Sequence, residues 1–302
     1  MHLEPLAREF YSYLQHEKGA SPLSIASYRS DFALFLKYLA HAGIPPEVDA
    51  INQQVVRGFI AYMSGLGLKP ASVRRRIHAL RSMWNYLMDC DYADRWPFRR
   101  ICLPKKEKKV PVYLSSGELE RLLAAAESHR QIRLAFRNRA IMSVLIHTGI
   151  RRQELLDLTV EDVDFENGIL RVSKGKGNKA RLIPLNASVK EALEDWLEFR
   201  HECDHRYLFT SRQGGRLDKM SLYKTFRDCL AKAGINREGI TLHKLRISFA
   251  TGLLNNGCSL VAIQRLLGHE DIGTTAAAYL SVDMTALRQA VEMHPLALKK
   301  QA

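Results

Sequence analysis

The chain has 302 residues, 46% of them apolar and 25% charged, and carries a formal net charge of +13. That length suits two domains rather than one, and the basic excess fits a polyanionic partner such as nucleic acid, although charge alone does not separate this from a basic protein with no such partner. The five cysteines (Cys90, Cys102, Cys203, Cys229, Cys258) are odd in number and scattered, the N-terminal residues hold no apolar signal core, and no apolar run approaches bilayer length; a disulfide scaffold, a secretory leader and a membrane span are therefore not expected, and a cytoplasmic setting is.

The first hundred residues read as helices. Ile25, Tyr28, Phe32, Phe35 and Leu39 recur at steps of three and four, and Val73, Ile77, Leu80, Trp84 and Leu87 do the same, so each set lies on one helix face. Gly19–Pro22, Gly43–Pro46 and Gly65–Pro70 punctuate the pattern. Four or so short helices joined by turns make a small all-α bundle over residues 1–103. Residues 1–111 hold 17 lysines and arginines against 10 aspartates and glutamates. Arg74, Arg75 and Arg76 form a run at the start of the fourth helix. A solvated helix face explains such a run without function, but phosphate contact is favoured because guanidinium matches phosphate in geometry and charge.

Residues 104–111, Pro-Lys-Lys-Glu-Lys-Lys-Val-Pro, are charged and bounded by prolines. They read as a basic linker, with Lys105 and Lys106 placed to lie along a DNA backbone. Ser115 and Glu118 then stand in capping-box register and open a second domain, residues 112–302. That domain is mostly helical, with one β-hairpin: Ile169–Val172 and Arg181–Leu185 are strand-like, and Lys174–Lys179 turn between them. The fold class expected is mainly α, a helical bundle followed by a mixed domain with a small sheet. His201, Cys203 and His205 alternate, but no second cluster completes a ligand set, so they read as surface residues and no metal site is expected.

Four pieces of the second domain carry chemistry. An apolar helix with Ile141, Val144 and Leu145 ends at Gly149, and another starts beyond Arg151. Arg151 thus sits at a helix junction, and Glu154, three residues on, is placed to orient it. The sequence Gly175-Lys176-Gly177 puts a lysine at a tight, glycine-flanked turn. His243 and Arg246 lie one turn apart on a helix, whose other side, with Leu242, Leu245 and Phe249, faces a core. Leu267-Gly268-His269 marks a helix C-cap, and Tyr279 follows as the last tyrosine of the chain. Taken singly, these read as an ion-paired capping arginine, a solvent-exposed turn and a packed tyrosine.

Together, and in this order, they resemble the tyrosine recombinase family, especially its compact Xer-type and phage or transposon integrase members. The resemblance spans nearly the whole chain: DNA-clasping helical domain, basic linker, catalytic domain. It implies that Arg151, Lys176, His243, Arg246, His269 and Tyr279 are the catalytic set. It also implies a homotetramer on two double-stranded DNA sites, with the segment from Thr285 to Lys300 docking on a neighbouring protomer rather than on its own domain. Two positions depart from the common pattern. The stretch between His269 and Tyr279 is longer by one residue, through Ala276-Ala277-Ala278, and Ile247 stands where a basic residue or histidine is frequent.

The chemistry matches the residue types. Attack on a phosphodiester places extra negative charge on its non-bridging oxygens, which two arginines and a histidine stabilise. A tyrosine attacks best as phenolate, which a cationic site favours and which His243 can generate by taking the proton. Lys176 on a hairpin can protonate the leaving 5′ oxygen. The product is a 3′-phosphotyrosine that retains the bond energy, so neither ATP nor a metal cofactor is expected. The rival readings are a type IB topoisomerase, which shares this chemistry, and a DNA-binding relative that has lost catalysis. The sequence leaves open the recognition site and whether a partner recombinase joins the assembly.

Overall fold

A computed structural model describes residues 1–105, 112–172, 180–200, 205–268 and, near the C-terminus, 288, 291–294 and 296. The chain folds as two units, Met1–Val110 and Pro111–Ala302. No described helix is long and apolar enough to cross a membrane.

The described residues of unit 1 form four α-helices, α1 (Leu3–His16), α2 (Pro22–His41), α3 (Gln53–Gly65) and α4 (Pro70–Asp89). Proline occupies the first turn of both α2 and α4, where its missing N–H leaves no hydrogen bond unmade. Ser21 caps α2 and Asn52 caps α3. The two apolar stripes meet in one core: Ile25, Phe32, Phe35 and Leu39 of α2 and Val73, Ile77, Leu80, Trp84 and Leu87 of α4 are all buried. Tyr28 is only half-buried and lies edge-on to Phe10 of α1.

The arginine run of α4 is more occupied than a free basic face. Arg75 grips Asp31 of α2 with both terminal nitrogens and also donates to the Ser27 hydroxyl. Nε of Arg76 lies 3.5 Å from the same carboxylate, which is 1% exposed. Arg74 donates to the Pro104 carbonyl at 3.3 Å. Asp31 is thus a buried anion held by two neighbouring guanidiniums, and it ties α2 to α4.

Unit 2 is built on α6 (Ile132–Thr148), which is buried along most of its length. It packs against α5 (Ser116–Glu127), α8 (Ala187–Phe199) and α10 (Leu242–Asn255). Ser115 and Glu118 form the capping box of α5. The hairpin strands are β2 (Ile169–Val172) and β3 (Arg181–Pro184), antiparallel with Val172 opposite Arg181 and Ile169 opposite Pro184. A short strand, β1 (Val163–Asp164), pairs with β2 and completes a three-stranded sheet; two residues are too few to show a periodicity. Three further helices are α7 (Arg152–Asp157), α9 (Lys219–Lys232) and α11 (Leu260–Leu267). His205 is half-buried, with Nε2 at 3.0 Å from the Gly214 carbonyl, so it belongs to a local turn rather than to the open surface; His201 and Cys203 lie outside the described residues. Near the C-terminus, Val291 and His294 are buried in unit 2, and the Leu296 carbonyl accepts from Ser188 at 3.2 Å.

The Asp31 cluster makes a stability prediction. Replacing Asp31 with Ala leaves two guanidiniums facing an emptied site and should destabilise unit 1 by about 2 kcal/mol. Arg75→Ala should cost less, because Arg75 is half exposed. Denaturant unfolding of the two variants checks this; two wild-type midpoints would mean that the run is a solvated face after all.

Candidate active site

The site grows from three helix ends and one strand. The helix α6 terminates at Gly149, which takes a left-handed conformation with φ of 59°. A Cβ at this position would lie 2.4 Å from Cδ1 of Phe249 on α10, so only glycine allows both the turn and the close packing of α10. Two residues later Arg151 is the N-cap of α7, and Glu154 at its third position accepts a hydrogen bond from the Arg151 backbone N–H at 2.8 Å. The capping geometry thereby brings the Glu154 carboxylate beside the Arg151 guanidinium, whose Nη1 donates to Oε1 at 2.8 Å. Arg151 stays partly open, its side chain 31% exposed, whereas Glu154 is buried.

Arg246 comes from the first turns of α10 and is buried. Its Nη1 donates to the Gly149 carbonyl at 2.7 Å and its Nη2 to the Leu267 carbonyl at 2.5 Å. It has no carboxylate partner of its own among the described residues. Burial, with the nearby charges of Arg151 and Arg181, lowers its pKa to about 10, and it remains a cation at neutral pH. His243, one turn earlier, is exposed. Desolvation, then the charges of Arg246, Lys244 and Arg151, pull its pKa below the ordinary histidine value, so the ring is neutral and able to accept a proton near pH 7.

The fourth contributor, Arg181 at the start of β3, was not singled out by its sequence context. Its two terminal nitrogens straddle Glu154, with Nη1 to Oε1 at 3.0 Å and Nη2 to Oε2 at 2.8 Å, and its Nε donates to the Leu266 carbonyl at 2.8 Å. An arginine after a lysine-rich stretch looks like a surface strand residue, and no local sequence signal marks its partners. Burial raises the pKa of Glu154, but the hydrogen bonds from Arg181 and from the Arg151 backbone outweigh it and hold the carboxyl at about 2.

A single feature unites these contacts. The last turn of α11 presents three successive carbonyls, Leu266, Leu267 and Gly268, and each receives a different arginine: Arg181, Arg246 and Arg151, the last at 3.0 Å. A helix C-terminus leaves such carbonyls without intrahelical donors and carries partial negative charge, so cations belong there. Arg151 and Arg246 thus meet at the end of α11, and the charges of both act on His243. Lys176, His269 and Tyr279 lie outside the described residues, as does Lys106, but Gly268, the left-handed C-cap of α11, is the residue immediately before His269. Of the residues expected to contact DNA, Lys105 is exposed, and Arg74, Arg75 and Arg76 have the partners given above.

Gly149→Ala tests the junction. The left-handed backbone and the clash with Phe249 together should cost about 3 kcal/mol and displace the carbonyl that holds Arg246. A lowered unfolding midpoint for unit 2 is expected; an unchanged one would show that Phe249 yields without cost.

Both units are similar to known proteins. Residues 113–286 match the phage integrase family, and residues 7–90 match the phage integrase N-terminal SAM-like domain. The tyrosine recombinase XerD of Oceanobacillus iheyensis is 32% identical over 302 residues, covering 98% of this chain and 100% of that protein. XerC of the same organism is 33% identical over 303 residues, with 98% and 97% covered. Among solved structures, the Tn1549 transposon integrase in complex with a circular intermediate DNA has the same fold, with a TM-score of 0.74 at 19% identity over 95% of this chain and 98% of that one. The XerH site-specific recombinase bound to its palindromic difH substrate has a TM-score of 0.69 at 24% identity, covering 96% of this chain and 82% of that one. With both units matched in order and full-length relatives at this identity, the chain belongs to the phage integrase family, the DNA-cleaving and rejoining tyrosine recombinases.

Proposed function

We propose that the chain is a site-specific recombinase that exchanges strands between two double-stranded DNA sites through a 3′-phosphotyrosine formed by Tyr279. The observation that carries this reading is the pairing of two arginines, Arg151 and Arg246, on the carbonyls at the end of α11, with one buried carboxylate between Arg151 and a third arginine. Three guanidiniums against one carboxylate leave a net positive site, which suits a phosphodiester gaining charge in its transition state.

In this reading Arg151 and Arg246 hold the non-bridging oxygens of the scissile phosphate. His243, neutral near pH 7, takes the tyrosine proton, and His269 assists at the same phosphate. The Tyr279 oxygen forms a bond to phosphorus while the bond from phosphorus to the 5′ oxygen breaks, and Lys176 supplies the proton that the 5′ oxygen needs. A 5′ hydroxyl from another strand then attacks the phosphotyrosine, releasing the tyrosine and resealing the backbone. No cofactor enters this scheme.

Four protomers on two sites would be required for a full exchange, each working in the cytoplasm as a soluble protein. The relatives whose structures contain DNA support DNA as the partner. In unit 1, Arg74, Arg75 and Arg76 would add phosphate contacts through the N–H groups not turned to Asp31 or Pro104, continued by Lys105 and Lys106. The segment beyond Tyr279 packs on its own unit at Val291 and His294, so docking on a neighbour would require it to leave that place.

Two measurements test this. On a nicked duplex carrying the site recovered with the protein from cells, wild-type protein should form a denaturation-resistant covalent adduct and Tyr279→Phe none; an adduct from that variant would reject Tyr279. The acidic limb of the cleavage rate should have its midpoint below about 6.5, the ordinary histidine value, because the surroundings of His243 keep the ring neutral to lower pH. A midpoint above that value would remove His243 as the proton acceptor.

A further inference from the structure

Arg181 is tied to three elements at once. It begins β3, five residues after Lys176 in the sequence. Its fork closes on both oxygens of Glu154, the capping residue of α7. Its Nε holds the Leu266 carbonyl in the last turn of α11, one of three neighbouring carbonyls there. Gly268 makes room for this, since a Cβ on it would lie 3.0 Å from Cδ and 3.1 Å from Nη1 of the Arg181 side chain. The side chain is only 10% exposed, so it is enclosed among these groups rather than laid open to a substrate.

The distribution of hydrogen bonds on Glu154 is uneven. Arg181 takes both carboxylate oxygens in the fork geometry that matches guanidinium to carboxylate, whereas Arg151 gives one side-chain bond and one backbone bond. A buried carboxylate needs a cation close by. With Arg181 in place its charge is balanced there, and the Arg151 guanidinium keeps its own charge and its Nη2 edge toward the end of α11. Without Arg181, Arg151 becomes the only guanidinium on Glu154 among the described residues, and its charge is cancelled by the carboxylate.

We infer that Arg181 is a positioning residue for strand cleavage: it neutralises Glu154 so that Arg151 stays available to the scissile phosphate, and it joins the start of β3 to the last turn of α11. This rests on the reading of Tyr279 as nucleophile and Arg151 as phosphate clamp. Lysine cannot replace it, because an ammonium lacks the planar fork and cannot reach Glu154 and Leu266 together in the same way. Because the effect runs through the charge of Glu154, removing that charge should undo part of the loss.

The test is the rate of covalent adduct formation by full-length protein on the nicked duplex described above, with DNA affinity and thermal unfolding measured alongside. Arg181→Ala should bind DNA nearly as wild type and cleave roughly tenfold or more slowly, the size expected for coupled neighbours in one ionic network. Arg181→Lys should fall between them. Compared at a temperature where the unfolding curves show both variants fully folded, the double variant Arg181→Ala/Glu154→Gln should cleave faster than Arg181→Ala alone, a rescue that recovered stability does not produce. Wild-type cleavage by Arg181→Ala overturns the inference, as does a double variant no faster than the single one. If Arg181→Ala does not fold, the lysine and double variants still decide, because equal rates in those two and wild type contradict the assignment. A wild-type protein that forms no adduct overturns instead the reading of Tyr279, and the inference falls with it.

Discussion

One buried carboxylate organises this catalytic unit. Glu154 caps α7, and the two arginines bonded to it, Arg151 and Arg181, tie that cap to the start of β3 and the last turn of α11. An ionised group so enclosed is stable only if each of its oxygens is satisfied by donors that carry charge. Both side chains that meet this need, Arg151 and Arg181, continue past Glu154 to carbonyls at the end of α11. The need to satisfy one acid therefore fixes the relative places of two arginines, a helix start and a helix end. Arg246 then joins from α10 by bonding the carbonyls of Gly149 and Leu267, which are the ends of the other two helices.

The consequence is a cationic cluster that is preorganised rather than assembled by its substrate. Burial first, and then the repulsion between like charges held close together, carries a cost that shows in the lowered pKa values of Arg246 and His243. Helix-end carbonyls offset part of that cost without cancelling the charge, since they are dipoles rather than anions. In the proposed reading, a phosphate entering this site would meet cations already held in place, the usual source of large electrostatic stabilisation in catalysis. In unit 1 a buried acid is used differently. Asp31 takes up two arginines of a basic run and turns them toward the bundle, which strengthens the joint between α2 and α4.

Much of this was legible in the residues. The stripes through Phe32 and Phe35 and through Ile77 and Trp84 gave the bundle, because buried helix faces repeat at the helical period. Gly149, Arg151 and Glu154 marked the junction, since a left-handed cap followed by a capping acid is written in adjacent positions. Arg181 was not legible, because its partners Glu154 and Leu266 lie 27 and 85 residues away and only the folded chain brings them together. The role of Asp31 was hidden for the same reason: an acid 44 residues before Arg75 gives no local sign that it will be buried beneath it. The strand Val163–Asp164 is too short to carry a pattern. The motif around Lys176, His269 and Tyr279 was legible as a family resemblance, and these residues lie outside the described part of the chain.

The central claim is a division of labour among three arginines around one acid. The most direct measurement is a structure of the full-length protein with DNA trapped on a nicked site before or after cleavage. The account predicts Arg151 and Arg246 within hydrogen-bond distance of the non-bridging oxygens of the scissile phosphate, with Arg181 still forked on Glu154 and bonded to the Leu266 carbonyl. A phosphate held by Arg181, or an Arg151 turned away from the phosphate and paired only with Glu154, would contradict it.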